Sequence, residues 1–110
     1  MTTTFRADDR VLLLAIPNSV ELSALARLLI RGVLVAIGDR DQVDEAREKL
    51  ADFDNVMFLE ARPDQIPWQE AYFSKIIVPP YLEPVMRSAS TELYRLLAPG
   101  GEIVRQTVNA

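Results

Sequence analysis

The chain lacks two of the residue types that most often carry polar chemistry in proteins. None of its 110 residues is a cysteine or a histidine. The absence of cysteine excludes disulfides, thiolate nucleophiles and cysteine-based zinc sites, and the absence of histidine removes the usual general base near neutral pH. Any catalysis would therefore rely on carboxylates, lysines, Tyr81 or positioning of the reactants. We assign neither a catalytic residue nor a metal site.

The sequence also lacks a long hydrophobic run and an excess of positive charge. Its apolar stretches have the length of strands, so no segment is predicted to span a membrane, and Met1–Arg6 lacks the apolar core of a signal peptide. Twelve lysines and arginines stand against sixteen acids, a net charge of −4. This balance argues against general binding to nucleic acid or anionic lipid. We therefore expect a cytoplasmic protein with one domain over residues 1–110.

The order of apolar strands and amphipathic helices predicts an α/β fold. Five strand-length apolar segments alternate with helical patterns, although the third connection carries only one weak helical signal, at Pro67. The predicted strands are 10–16, 33–37, 56–60, 75–78 and 102–108. Helices are predicted from Asn18 to Gly32, over 42–51 with Asp41 as the N-cap, and over 84–98. Right-handed crossovers then give a three-layer sandwich around an open, mainly parallel five-stranded sheet of order 3-2-1-4-5.

The carboxyl ends of these strands form the edge where open parallel sheets bind ligands. The residues predicted there are Ile16–Asn18, Gly38–Arg40, Ala61, Arg62, Pro79–Tyr81 and Thr107. Nucleotide-binding folds place glycines after the first strand, but this chain has Ala15, Pro17 and Asn18. Asp39 follows the second strand, where one carboxylate can accept hydrogen bonds from two ribose hydroxyls. The alternative interpretation is that Asp39 only belongs to a polar turn.

Five segments carry a resemblance to a known family. Arg10–Ser19 has the place of that family's first strand and loop, and Val35–Asp39 that of its second strand with a ribose-binding acid. Asp41–Leu50, Asn55–Trp68 and Leu93–Val104 match the segments that follow, and the last of these is the most specific. Together they cover about residues 8–107 and resemble the core of class I S-adenosylmethionine-dependent methyltransferases. The resemblance implies S-adenosylmethionine as the cofactor, with Asp39 on the ribose and Trp68, Ile37 or Ile66 against the base.

Several positions depart from the cofactor-binding pattern of that family. An acid in the first strand, two loop glycines, the acid that contacts adenine and the acid that opens the fourth strand are all replaced. The substituted positions are Leu13, Ala15, Pro17, Arg62 and Ser74. Asp39 is the one carboxylate of the pattern that is kept. We therefore predict that Asp39 and Arg62 pair across the former adenine pocket.

These observations support three hypotheses of function. The first is a degenerate methyltransferase-like domain that is non-catalytic and acts in binding or assembly. The second is an active small methyltransferase or nucleotide binder with a relaxed loop, which would use Asn18, Asp39, Arg62 and Trp68 as its cofactor-binding residues. The third is one piece of a larger assembly whose missing parts come from another chain.

The predicted edge of the sheet bears on the assembly hypotheses. The family continues with two more strands beside the fifth, and this sequence lacks them. The strand Glu102–Val108 would then be an edge with unpaired backbone groups, on which Glu102 and Arg105 would discourage aggregation. We predict that this edge pairs with a second copy of the chain or with a partner protein.

Overall fold

Strands and helices alternate along the part of the chain that the structure, a computed structural model, describes. This part is residues 4–105, without the side chain of Met86. The strands are β1 (Arg10–Leu13), β2 (Val33–Gly38), β3 (Val56–Glu60), β4 (Phe73–Ile77) and β5 (Leu97–Val104). The helices are α1 (Ser19–Leu28), α2 (Arg40–Lys49) and α3 (Glu83–Leu96), and a short 3-10 helix, Pro80–Leu82, precedes α3.

The five strands form one parallel sheet in the order β3-β2-β1-β4-β5. This confirms the predicted strand order. Strand β1 lies at the centre, where Val11 is paired with Leu34 of β2 on one side and with Lys75 of β4 on the other. Because both pairings are parallel, the carboxyl ends of β1, β2 and β4 meet on the same side of the sheet.

Helices cover both faces of the sheet, which confirms the predicted three layers. Val11 and Leu13 of β1 pack with α1 and α2 in one apolar cluster. Leu12 and Leu14, which alternate with them, pack with α3 in a second cluster on the opposite face. Burial on both faces explains why this segment is apolar without interruption.

Several elements begin or end at residues other than those predicted. Helix α2 begins at Arg40 with Asp39 as its N-cap, so the prediction that Asp41 caps this helix is wrong. Gly32 lies beyond the C-cap of α1, which is Leu29. No helix forms near Pro67, and residues 61–72 connect β3 to β4 without one.

Strand β5 departs most from its prediction. It begins at Leu97 rather than Glu102, because Leu97 pairs with Phe73 and Glu102 with Lys75, on either side of a bulge. The turn Pro99–Gly101 therefore lies inside the strand. Residues 106–108 of the predicted strand, with the predicted rim residue Thr107, lie outside the described residues. Within residues 4–105 β5 is an edge strand, and its pairing with another chain stays a prediction.

A buried polar cluster joins β1 to the start of β4 at the amino ends of the strands. The side chain of Asp9 is 6% exposed and lies 3.1 Å from Nζ of Lys75, whose side chain is 12% exposed. The Asp9 carboxylate also accepts hydrogen bonds from the Arg6 backbone N–H at 2.7 Å and the Ser74 hydroxyl at 2.8 Å. Burial alone would raise the pKa of Asp9, but these hydrogen bonds and the Lys75 charge together lower it below its ordinary value. The cluster therefore lies on the opposite side of the sheet from the carboxyl ends of the strands.

No helix among residues 4–105 combines the length and the apolar character needed to cross a membrane.

Two glycines allow a direct comparison of steric and conformational cost. A Cβ on Gly32 would overlap the carbonyl oxygen of Asp9, which accepts a hydrogen bond from the Val33 N–H. We expect Gly32→Ala to lower the free energy of unfolding by roughly 2 kcal/mol, because the backbone must move. Gly100 has open space around it but a φ of 79°, so Gly100→Ala should cost only about 1 kcal/mol. Urea unfolding of both variants tests this order, and an equal or reversed order would contradict it.

Candidate ligand-binding cleft

An open cleft lies at the carboxyl ends of the strands and has a volume of about 920 Å³. Ligand pockets in proteins commonly occupy about 300–1,000 Å³. Each of the first four strands, through the residues that follow it, contributes to the lining. The lining residues are Leu14–Ala15, Ile37–Asp39, Gln42, Glu60–Pro63, Gln65–Pro67 and Tyr81–Leu82. The position agrees with the general rule for ligands of open parallel sheets.

Asp39 reaches the cleft and also caps helix α2. Its Oδ1 accepts a hydrogen bond from the backbone N–H of Gln42 at 2.9 Å, and the Gln42 side chain accepts one from the Asp39 N–H at 3.0 Å. This reciprocal pair is a capping box. It fixes the carboxylate at the wall of the cleft and uses one of its two oxygens.

Arg62 lines the same cleft but does not pair with Asp39. Its guanidinium lies 3.1 Å from Oδ2 of Asp64, and the side chain is 79% exposed. The prediction of an Asp39–Arg62 pair is therefore wrong. The local turn decides the outcome, because the Gln65 N–H donates to the Arg62 carbonyl at 3.0 Å and brings Asp64 beside Arg62. The cleft between Asp39 and Arg62 consequently stays open.

Asn18 and Trp68 lie outside the cleft, although the sequence places them with Asp39 and Arg62. Asn18 is the N-cap of α1, and its Oδ1 accepts from the Glu21 N–H at 2.9 Å. Trp68 is half-buried beside the aromatic rings of Tyr72 and Phe73, with centroid distances of 5.4 and 5.7 Å. Its neighbours Ile66 and Pro67 line the cleft in its place.

The residues of the loop after β1 line two different clefts, which share Gln42. Leu14 and Ala15 line the large cleft, whereas Ile16–Ser19 lines a smaller one between α1 and α2. The Ile16 side chain lies so close to Gly38 that a Cβ there would be 2.9 Å from Cδ1 of Ile16. Ile16 thus fills the space between the loop and the end of β2. The N-terminus of α1 does not border the large cleft.

Sequence reasoning missed several residues of the cleft. Gln42 could have been found, because it follows Asp39 at the spacing of a capping box. Gln65 and Leu82 carry no local signal. Tyr81 was predicted at the edge and lies there, on the short 3-10 helix, with its ring largely exposed. Nowhere in residues 4–105 do three carboxylates come close enough together to hold a metal ion.

Comparison with solved structures places the fold. The chain superposes with a TM-score of 0.74 on a SAM-dependent methyltransferase from Aquifex aeolicus, at 21% identity over 86% of this chain and 53% of that one. It also matches a chain of a fibrillarin/Nop5p complex, with a TM-score of 0.75 and 19% identity over 94% and 51% of the two chains. The chain has a class I methyltransferase-like fold. This confirms the fold that the resemblance implied.

Further comparisons give a third structural match and no match by sequence. A SAM-dependent methyltransferase from Methanosarcina mazei matches with a TM-score of 0.70 and 16% identity, over 90% of this chain and 52% of the other. No protein-family model matches the chain, and no curated protein matches it significantly. The chain spans about half the length of the methyltransferase-like structures that it matches. The superpositions establish the fold of the chain, whereas activity has to be argued from the residues of the site.

Proposed function

We propose that this domain is a degenerate methyltransferase-like domain that binds a nucleoside and does not transfer methyl groups. The observation that carries the proposal is the position of the loop after β1 outside the lining of the large cleft. That lining contains Asp39 and apolar side chains after β3, but no residue of Ile16–Ser19. Such a site offers contacts to a ribose and a base, and it offers none from the loop and helix N-terminus that would hold the methionine part of S-adenosylmethionine.

Asp39 supplies the contact to the ribose. Its Oδ1 is held by the Gln42 N–H, which leaves Oδ2 as the acceptor for a ribose hydroxyl. Because the capping box already fixes the carboxylate, a ligand has little side-chain freedom to remove when it binds. Ala61, Pro63 and Pro67 provide accessible apolar surface against which a planar base can lie. Ile37 and Ile66 also line the cleft but are only 1% and 2% exposed.

Residues in β1 and in the loop after it support the proposal that the domain transfers no methyl group. Leu13 is buried in the core, where the family pattern has an acid. Pro17 has no N–H to donate, and Ile16 occupies the space beside Gly38. A cofactor bound at Asp39 would meet Ile16 beside Gly38 and no N–H at Pro17, so its methionine end would add no affinity.

The first test is a calorimetric titration with adenosine, S-adenosylhomocysteine and S-adenosylmethionine. We expect adenosine and S-adenosylhomocysteine to bind with dissociation constants within about threefold of each other, since the amino-acid part adds no contact. S-adenosylmethionine should bind more weakly than about 100 μM, or roughly −5.5 kcal/mol. An active methyltransferase is the alternative that the large cleft volume favours. That alternative is supported if S-adenosylmethionine binds with a dissociation constant below about 100 μM and much more tightly than adenosine does.

Asp39→Asn and Asp41→Asn provide matched variants for the same titration. Asparagine keeps an oxygen to cap α2 but places an amide N–H₂ where the ribose needs an acceptor, so adenosine affinity should fall about tenfold. Asp41 is exposed in the first turn of the same helix, and its replacement should leave the affinity unchanged. No binding of adenosine by the original chain, or an equal loss in both variants, would contradict the proposal.

A further inference from the structure

The segment Ile66–Trp68, called the wall segment because Ile66 and Pro67 line the cleft, is held by a pair of charged side chains from helix α3. Oε2 of Glu92 accepts a hydrogen bond from the Ile66 N–H at 2.7 Å. The Arg95 guanidinium donates to the Ile66 carbonyl at 3.1 Å and to the Trp68 carbonyl at 3.0 Å. Both backbone polar groups of Ile66 are therefore bound to one helix, although neither charged side chain lines the cleft.

Glu92 and Arg95 are also bound to each other. Nε of Arg95 lies 2.6 Å from Oε1 of Glu92. The Arg95 side chain is 37% exposed and that of Glu92 is 18% exposed. The hydrogen bond from Arg95 lowers the pKa of Glu92. Each carboxylate oxygen thus has a separate role, one toward Arg95 and one toward Ile66. The contact between Glu92 and Arg95 therefore helps to orient both side chains toward the wall segment.

The wall segment and the residues that follow it contain two unfavourable features that such a contact can stabilise. Ala71 has a φ of 54°, a left-handed conformation that is uncommon for alanine, and its N–H donates to the Arg95 carbonyl at 2.8 Å. The indole N–H of Trp68 is buried without a hydrogen-bond partner among the described residues. A buried donor without a partner favours any conformation that returns it to water. Without the contacts to α3, the segment would therefore be expected to open.

Helix α3 is also adjacent in sequence to other residues of the cleft. Tyr81 and Leu82 line the cleft and precede the helix, whose last turns carry Glu92 and Arg95. The helix thus links two parts of the cleft lining. Strained or costly backbone that is held by surrounding contacts is typical of sites that must keep a fixed shape.

We propose that Glu92 and Arg95 are positioning residues that hold Ile66–Trp68 as a wall of the cleft and so set its fit to the base of the ligand. The statement about the ligand rests on the proposed nucleoside binding. The statement about the wall segment can be tested without a ligand. Trp68 is the only tryptophan of the chain, so its fluorescence reports directly on this segment.

The test compares Glu92→Ala, Glu92→Gln and the control Glu48→Ala. Glutamine can still accept from the Ile66 N–H, and Glu48 is an exposed residue on α2. In Glu92→Ala, acrylamide quenching of Trp68 should rise about twofold with unchanged far-ultraviolet circular dichroism, as expected for local opening. Adenosine should bind about tenfold more weakly, since a loosened wall loses its fit. Glu92→Gln should show little of either effect, because glutamine keeps an acceptor for the Ile66 N–H. Glu48→Ala should show neither effect.

The outcomes separate the two proposals. Unchanged quenching in Glu92→Ala overturns the role of Glu92 whatever the ligand does. Increased quenching with unchanged adenosine affinity overturns the link between wall and fit. If the original chain binds no adenosine, the proposed function fails, while the quenching still decides whether the pair holds the wall. Should Glu92→Ala not fold, Arg95→Lys takes its place, because the single nitrogen of lysine cannot reproduce the three nitrogens with which Arg95 contacts Glu92, Trp68 and Ile66.

Discussion

Replacing Asp9 with alanine is expected to lower the free energy of unfolding by about 3 kcal/mol. The substitution leaves the largely buried ammonium of Lys75 with Glu102, at 3.8 Å, as its remaining ion-pair partner among residues 4–105. It also leaves the Ser74 hydroxyl without the carboxylate that accepts its hydrogen bond at 2.8 Å. Urea unfolding measures the loss, and Asp8→Ala is the matched control because Asp8 is exposed beside Asp9. Equal stability of the two variants would contradict a stabilising role for the cluster.

The pH dependence of the same unfolding gives an independent check. The pKa of Asp9 is lowered in the folded chain from its ordinary value of 3.8. The unfolded chain therefore binds the proton more readily, and Asp9 contributes stability that is complete above about that pH and lost as the pH falls through its folded pKa. As the pH falls below about 3.8, the free energy of unfolding should therefore decrease less in the Asp9→Ala variant than in the original chain. Parallel stability curves below pH 4 for the two proteins would contradict the assignment.

Local sequence signals predicted the sheet well where a strand is bounded by polar turns. Strand β3 spans Val56–Glu60 in both the prediction and the structure. Strand β5 was predicted to start too late, because Pro99–Gly101 has the local signals of a stop. The pairing of Leu97 with Phe73 across the bulge is a contact between distant segments, and no pattern within either segment reveals it.

The candidate site was predicted in position but not in detail. Asp39 and Arg62 lie in the cleft because each follows a strand end, and the order of the strands was correct. Their partners are neighbours in sequence, Gln42 and Asp64, which compete successfully with a contact across an open cleft. Local hydrogen bonds cost less chain entropy to form, so a predicted pair between separate loops should be weighed against them.

Trp68 shows why the wall of the cleft could not be read from the sequence. The connection 61–72 has no helix of its own, and contacts with α3 determine its path. Glu92 is 26 residues from Ile66 along the chain, and Arg95 is 29 residues from it. Such pairs have no spacing rule. Once Ile66 and Pro67 are fixed on the cleft side, the Trp68 ring lies with Tyr72 and Phe73 instead of against a base.

Phe73→Ala is the second substitution for which we expect a large effect, a loss of about 4 kcal/mol in the free energy of unfolding. Phe73 is fully buried at the start of β4. Its ring contacts those of Tyr72 and Trp68, with centroid distances of 5.0 and 5.7 Å. Removal of the ring leaves a cavity beneath the wall segment, and the bulge opposite Phe73 limits how far the strands can close it.

Phe53→Ala is the control, because it makes the same substitution at a half-buried ring on the other face of the sheet. It should cost about 1.5 kcal/mol, since less apolar surface leaves the core. Trp68 fluorescence should shift to longer wavelength in Phe73→Ala, where the indole loses a packed neighbour, and stay unchanged in Phe53→Ala. Equal losses of stability, or an unchanged Trp68 spectrum in Phe73→Ala, would show that the aromatic cluster does not support the wall. The cleft would then depend on the backbone contacts of Glu92 and Arg95 alone.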